Sequence, residues 1–139
     1  MNYEMLIKEA LEARKRAYTP YSKFNVGAAV LTEEGKIYSG CNIENASYGA
    51  TNCAERTAIF KAVSEGSRKI TAVAVVGDLN SFTYPCGICR QVIVEFALDQ
   101  NIDIILAKNT KEFIVVKLKE ILPGAFTKKD LDKEKKTNV

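Results

Sequence analysis

The feature that most limits the fold is a run of seven residues, Ile70–Val76, made almost wholly of Ile, Val and Ala. The run is too short for a typical helix and is rich in β-branched residues, which favours a β-strand. A strand without alternating polar residues is buried on both faces, as in sheets that helices cover from both sides. The chain must therefore supply helices for two opposite faces of one sheet.

Hydrophobic periodicity and turn residues predict the other elements. They are a helix over 2–18, a hairpin over 26–31 and 36–43, a helix over 53–64, a helix over 86–98, strands over 102–107 and 113–116, and a helical turn over 119–122. Their order predicts a three-layer α/β/α fold of the α/β class, with a five-stranded mixed sheet and helices on both faces. One domain over 1–126 is expected, followed by a charged C-terminal tail over 127–139.

Charge and composition exclude several classes of protein. The net charge is only +3, and the chain shows no basic stripe of the kind that binds nucleic acid. No apolar run approaches the ~20 residues of a membrane-spanning helix, and residues 1–4 do not start a signal peptide. We therefore expect a cytoplasmic protein with no nucleic-acid or membrane partner, whose four cysteines stay reduced.

The cysteines are the main candidates for chemistry. Cys86 and Cys89 lie three residues apart where a helix should begin, a spacing that can hold one metal ion. Alone, the pair is equally compatible with a redox pair or half of a structural zinc site. Cys53, at the start of another predicted helix, raises the number of thiolates to three, and catalytic zinc sites keep the fourth position for water. Cys41 is interpreted as a small buried residue; as a fourth ligand it would indicate a structural site.

Two charged residues follow Cys53 directly. Glu55 lies on the same helical turn as Cys53 and can reach a water on the metal, although an acid is also simply favourable in a first turn. Three thiolates give a zinc centre excess negative charge, so we expect Arg56 to hydrogen-bond a ligating sulfur. Arg90 is a weaker candidate for the same role, and a solvated surface arginine is the alternative. The chain has no histidine, so any acid–base group must be another residue, and Glu55 is the candidate beside the metal.

These motifs match a known signature. The segments 53–55 (CAE) and 85–89 (PCGIC) resemble the zinc-binding segments of the small, homotetrameric cytidine deaminases of nucleoside salvage. Ile88 departs from this pattern, since the family often has alanine there. The resemblance implies a cytidine-deaminase-like α/β/α fold. Further segments that resemble the family are 21–28, 40–46 and 122–126.

The resemblance also implies a reaction. Cys53, Cys86 and Cys89 would hold one Zn²⁺ per subunit, and a water on that zinc would be the nucleophile. Glu55 would be the catalytic residue that shuttles protons. The expected reaction is hydrolytic deamination of cytidine, and of deoxycytidine, to uridine or deoxyuridine and ammonia, as a step of pyrimidine salvage.

Substrate-binding roles follow from the same resemblance. Asn42 and Glu44 would bind the ribose 3′-hydroxyl, and Phe24 would pack on the pyrimidine ring. The backbone N–H groups of Cys53 and Ala54 would hold the base. The residues that would complete the pockets of neighbouring subunits in a homotetramer are Tyr48 and Phe126. Without the family, the three aromatic residues would be interpreted as packing residues, and the Asn–Glu pair as an exposed strand end.

Three other functions remain open from the residues. A related deaminase could act on another amino-pyrimidine, such as a nucleoside antibiotic or a base within nucleic acid, although Glu44 would repel a phosphate at the 3′-oxygen. A structural zinc module would bind a protein or nucleic acid and would need a fourth ligand. A thiol redox protein would use only Cys86 and Cys89. Nothing in the sequence ranks cytidine against deoxycytidine.

Overall fold

The computed structural model describes residues 2–132. Within this range the helices are α1 (Glu4–Arg14), α2 (Ala54–Ser64), α3 (Gly87–Phe96) and α4 (Leu118–Ile121). The strands are β1 (Gly27–Thr32), β2 (Ile37–Cys41), β3 (Ile70–Val76), β4 (Asp103–Ala107) and β5 (Phe113–Lys117), and two short 3₁₀ turns span Tyr48–Ala50 and Lys128–Leu131. The predicted order of elements is confirmed, and β3 has the predicted bounds.

The five strands form one mixed sheet in the order β2-β1-β3-β4-β5. Only β3 and β4 run parallel among these neighbours, and the other pairs are antiparallel. The predicted five-stranded mixed sheet is thus confirmed. β3 lies at its centre, and six of its seven residues are buried, with Thr71 partly exposed. The apolar run therefore has the environment that its composition predicts.

Helices cover both faces of the sheet. On one face α1 buries Ile7 against small sheet residues such as Ala74. On the other face α2 and α3 bury Ile59 and Ile93 against Val73. Successive residues of β3 thus belong to different layers, because side chains alternate along a strand. The three-layer α/β/α architecture places the first turns of α2 and α3 on the same side of the sheet.

The first helix is shorter than its periodicity predicts. It ends at Arg14, not at residue 18. Tyr18, although at helical spacing, forms a backbone bridge in which its N–H donates to the Asn42 carbonyl (3.0 Å) and its carbonyl accepts from the Glu44 N–H (2.9 Å). This long-range pairing holds the segment after α1 beside the end of β2.

The predicted C-terminal tail is only partly described. Residues 128–131 form a 3₁₀ turn, and Thr127 and Asp130 satisfy each other's backbone N–H groups in a capping box. The remainder, 133–139, lies outside the described residues, so the boundary between domain and tail stays a prediction. In the described range, no helix combines the length and the apolar character needed to cross a membrane.

A glycine sets the distance between α2 and β2. A Cβ atom added at Gly40 would lie 2.5 Å from the Ala58 nitrogen and 2.9 Å from the Ala54 carbonyl oxygen, both backbone atoms of α2. We expect Gly40→Ala to lower the free energy of unfolding by about 1–3 kcal/mol, because the helix must move away from the strand. Denaturant unfolding measures this. Gly49, whose added Cβ meets nothing within 4 Å, is the control: Gly49→Ala should change stability by less than about 0.5 kcal/mol, and equal losses would contradict the argument.

Candidate active site

The three candidate thiol ligands meet at the start of two helices. Cys53 is the N-cap of α2, Cys86 is the N-cap of α3, and Cys89 lies in the first turn of α3. Each N-cap residue has an extended backbone, which turns the chain into its helix. The three Sγ atoms all lie within 4.8 Å of one another. The two helix N-termini also direct their partial positive charge at this group.

The geometry of the sulfurs fits a zinc ion. The Cys53 and Cys86 Sγ atoms are 3.8 Å apart, and two sulfurs each about 2.3 Å from a tetrahedral zinc lie about 3.8 Å apart. Cys41, in β2, does not belong to the group. Three protein ligands leave one tetrahedral position for water, as in catalytic zinc sites.

Arg56 neutralises part of the negative charge on these sulfurs. Its Nη2 atom donates to Cys53 Sγ at 3.2 Å, and the pKa of the Cys53 thiol is lowered to about 5 because it accepts hydrogen bonds from the Cys89 thiol and from Arg56. The pKa of Cys89 is raised, because its proton bonds to Cys53 and because it is buried. A metal ion takes the place of such protons when it binds thiolates. In the described part of the chain, the buried Nε of Arg56 has no hydrogen-bond partner.

Arg90 does neither of the two things that the sequence suggested. It contacts no sulfur through a hydrogen bond that the structure shows, and it is not a free surface residue. Its Nε donates to the Pro85 carbonyl (2.8 Å) and its Nη1 to the Ile121 carbonyl (2.7 Å). Its side chain therefore joins α3 to the end of α4.

Glu55 is buried beside the thiols. It lies in the first turn of α2 with only 4% of its surface exposed. Burial raises the pKa of Glu55 to about 7, and the negative charge of Cys53 adds to the shift. A carboxyl group with such a pKa can take up and release a proton near neutral pH. Its burial is unusual for a glutamate and cannot be explained as a solvated first-turn acid.

A cavity of about 170 Å³, which we call the thiol cavity, lies beside Glu55 and two of the thiols. Cys53, Glu55 and Cys86 line it together with Asn42 and Ala54. The polar groups therefore face a common space of the size of a small ring. First-turn N–H groups such as that of Ala54 have no partner within their helix and point toward whatever lies before it.

Sequence reasoning missed three residues of this cavity. Val26, Thr83 and Tyr84 also line it. The sequence could have indicated Thr83 and Tyr84, because they come directly before Pro85 and Cys86. Residues beside a metal ligand in the chain must lie near the metal. Val26 gave no signal, since its place depends on a bond from its N–H to the Asn42 side-chain oxygen (2.9 Å).

The two expected ribose ligands lie in different cavities. Asn42 lines the thiol cavity, and its amide donates to the Phe24 carbonyl at 2.8 Å. Glu44 lines a separate cavity of about 400 Å³. Its carboxylate accepts the backbone N–H groups of Tyr21 (2.9 Å) and Ser22 (3.1 Å). Each side chain is thus held by its own loop contacts in the single chain, and their joint role at the ribose stays a prediction.

The three expected aromatic contacts are exposed. Phe24 is 36% exposed and faces a third cavity beside Arg14. Tyr48 is 76% exposed and packs edge-on against Tyr21, with ring centroids 5.9 Å apart. Phe126 is 57% exposed. None of these rings lines the thiol cavity within the single chain.

The chain is similar to known proteins along most of its length. The family model "Cytidine and deoxycytidylate deaminase zinc-binding region" matches residues 1–103. A cytidine deaminase of Sporosarcina psychrophila is 53% identical over 131 residues, covering 94% of this chain and 96% of that protein. A cytidine deaminase of Halalkalibacterium halodurans is 51% identical over 132 residues, covering 95% and 99%.

A solved structure has the same fold. The cytidine deaminase of Burkholderia pseudomallei matches with a TM-score of 0.83 at 46% identity, and the match covers 91% of this chain and 100% of that one. The family match contains all three clustered cysteines and Glu55. The cluster of three thiols is therefore suited to zinc.

Proposed function

The chain belongs to the cytidine and deoxycytidylate deaminase zinc-binding family, and we propose that it hydrolyses free cytidine to uridine and ammonia. One observation carries the proposal: three thiols lie within 4.8 Å of one another, and two of them, Cys53 and Cys86, share a small cavity with the buried carboxyl group of Glu55. A structural zinc module needs a fourth protein ligand, and a thiol redox pair has no use for Glu55. Deamination uses both the thiols and the carboxyl group.

The residues that would hold the zinc ion are Cys53, Cys86 and Cys89. When bound, zinc supplies a Lewis acid that lowers the pKa of water in the cavity. Arg56 stabilises the thiolates by its hydrogen bond to Cys53. The absence of a fourth thiol from the group agrees with a site that admits water and substrate.

Glu55 carries the protons of the reaction. It takes one proton from the attacking water and delivers it to N3 of the pyrimidine, while the water oxygen bonds to C4. It then transfers the second proton of that water to the amino group, the C4–N bond breaks, and ammonia leaves. One carboxyl group with a pKa near 7 can act in both steps, so the lack of histidine is no obstacle.

The nucleoside is proposed to enter with its base against the start of α2. The first-turn N–H of Ala54 is available to the base. Asn42 lines the same cavity and is proposed to bind the ribose 3′-hydroxyl. Glu44, held by the loop at Tyr21 and Ser22, shares that hydroxyl once the sugar bridges the two cavities. Phe24 packs on the pyrimidine ring from the neighbouring loop.

We further propose a homotetramer. Tyr48 and Phe126 are large aromatic residues that expose 76% and 57% of their surface in the single chain, and aromatic residues are enriched at subunit contacts. In this proposal they complete the substrate pockets of neighbouring subunits. The free cysteines must stay reduced to bind zinc, which supports a cytoplasmic location. A role in pyrimidine salvage, with deoxycytidine as a second substrate, is part of the same proposal and follows from the family resemblance.

The test is ammonia release by the zinc-loaded protein. Cytidine and deoxycytidine should both be turned over, and chelator-treated protein should be inactive until zinc is restored. Deoxycytidylate, the other substrate in the family description, serves as the comparison. Turnover of the nucleotide alone, or no turnover by protein that contains zinc, would contradict the proposed substrate.

A further inference from the structure

Arg90 connects two segments that are far apart in the chain. It lies in α3 one residue after Cys89, and its side chain donates to the carbonyls of Pro85 and Ile121 at 2.8 and 2.7 Å. Ile121 is the last residue of α4, so its carbonyl has no partner in its own helix. A charged donor makes stronger hydrogen bonds to such carbonyls than a neutral one.

The Arg90 side chain fixes the backbone on one side of Cys86, and its backbone N–H bonds the other side as any residue at this helical position would. The guanidinium holds the carbonyl of Pro85, which is buried, directly before Cys86. The backbone N–H of Arg90 donates to the carbonyl of Cys86 itself at 2.9 Å. Cys86 is an N-cap residue with extended backbone, so helical geometry alone does not set its direction. Its side chain is also exposed, and packing therefore restrains it little.

The anchor of this arrangement is the C-terminal segment. Gln91, next to Arg90, donates its side-chain N–H to the Phe126 carbonyl at 2.8 Å. Two successive residues of α3 thus bind the two ends of the segment 121–126. Because one rigid guanidinium bonds both carbonyls, a displacement of that segment would also displace the Pro85 carbonyl.

We propose that Arg90 is a positioning residue that fixes Cys86 for zinc and uses the segment 121–126 as its anchor. The inference rests on the proposed metal site, to which it adds a residue that touches neither zinc nor substrate. Residues that orient metal ligands typically change metal affinity by roughly 10-fold to 100-fold when replaced. Loss of Arg90 should therefore speed the release of zinc.

The experiment compares Arg90→Met with Arg14→Met. Arg14 also donates its Nε to a backbone carbonyl, that of Gly77 at 2.7 Å, and so controls for the loss of an arginine–carbonyl bond outside the metal site. Zinc release from the zinc-loaded proteins to a chromophoric chelator is followed with time. We expect release roughly 10-fold to 100-fold faster for Arg90→Met, and a wild-type rate for Arg14→Met. The unfolding temperatures of both variants are measured in parallel.

Arg90→Lys provides a second variant in case the methionine variant does not fold. Lysine offers a single point charge and cannot hold both carbonyls in the fork geometry of arginine, so an intermediate release rate is expected. A wild-type release rate in a folded Arg90→Met or Arg90→Lys protein would overturn the inference. Wild-type protein that holds no zinc would instead overturn the metal site itself, and that result is distinct because it needs no variant.

Discussion

Glu55→Gln is expected to lower kcat for cytidine by roughly 10²-fold to 10⁴-fold while zinc content stays at the wild-type level. Glutamine keeps the shape of the side chain but cannot take up and return a proton, and general acid–base catalysis contributes about this much. We expect the upper part of the range, because one carboxyl group serves two proton transfers. The variant also carries no ionisable group into a buried position, so the fold should not suffer.

Three measurements decide this prediction: kcat by ammonia release, zinc per chain, and the unfolding temperature. Glu4→Gln is the matched control, because Glu4 is also an acid in a first helical turn but is exposed on α1. If Glu55 served only the helix dipole, the two variants would behave alike. Glu55→Ala should lose activity as well, and wild-type turnover in either Glu55 variant would remove it from the mechanism.

The sheet could be predicted from the sequence because its central strand is buried on both faces. The apolar run of β3 can be recognised without knowing which strands pair with it. Because such a strand is buried on both faces, helices must cover both sides of the sheet. The end of α1 could not be predicted in the same way. The side chains continue at helical spacing to Tyr18, but its backbone bonds to Asn42 and Glu44, and such a distant pairing leaves no periodic signal.

The cluster of three thiols could be predicted because spacing and residue type carry the information. Cys86 and Cys89 share one helix start, and Cys53 and Glu55 share another. The burial of Glu55, which raises its pKa to about 7, could not be derived, because it depends on how α2 packs on the sheet. A sequence shows which groups can titrate, and packing decides where they do so.

Contacts between residues far apart in the chain could not be predicted either, because they also depend on packing. The partner of Arg90 at Ile121 lies 31 residues away. The sequence therefore could not show whether Arg90 hydrogen-bonds a ligating sulfur, is solvated at the surface, or does neither. The Glu44 carboxylate accepts the N–H groups of Tyr21 and Ser22, which are 23 and 22 residues away in the chain, and the sequence carries no signal for these contacts. Period-two spacing sets the direction of side chains only while the strand continues, and β2 ends at Cys41.

Cys86→Ala is expected to remove most of the zinc and, with it, the activity. The variant leaves two sulfurs, one fewer than the three protein ligands of a catalytic zinc site. Its unfolding temperature should also fall, because a metal that binds only the folded chain stabilises it by about 4 kcal/mol when free zinc is about 1,000 times Kd. Zinc per chain, activity and thermal unfolding are measured on the same preparation.

Cys41→Ala is the control that gives this result its meaning. Cys41 is also a free, partly exposed thiol, but it lies in β2 outside the group of three. Its loss should leave zinc and activity unchanged, so a fall in both variants would indicate general damage. Full zinc occupancy in Cys86→Ala would show that another group replaces Cys86, and a double variant lacking both residues would then identify Cys41 as that group if the zinc were lost. If zinc is instead lost in Cys86→Ala and retained in Cys41→Ala, the centre has three thiolates. Its remaining position is then free for the chemistry that Glu55 serves.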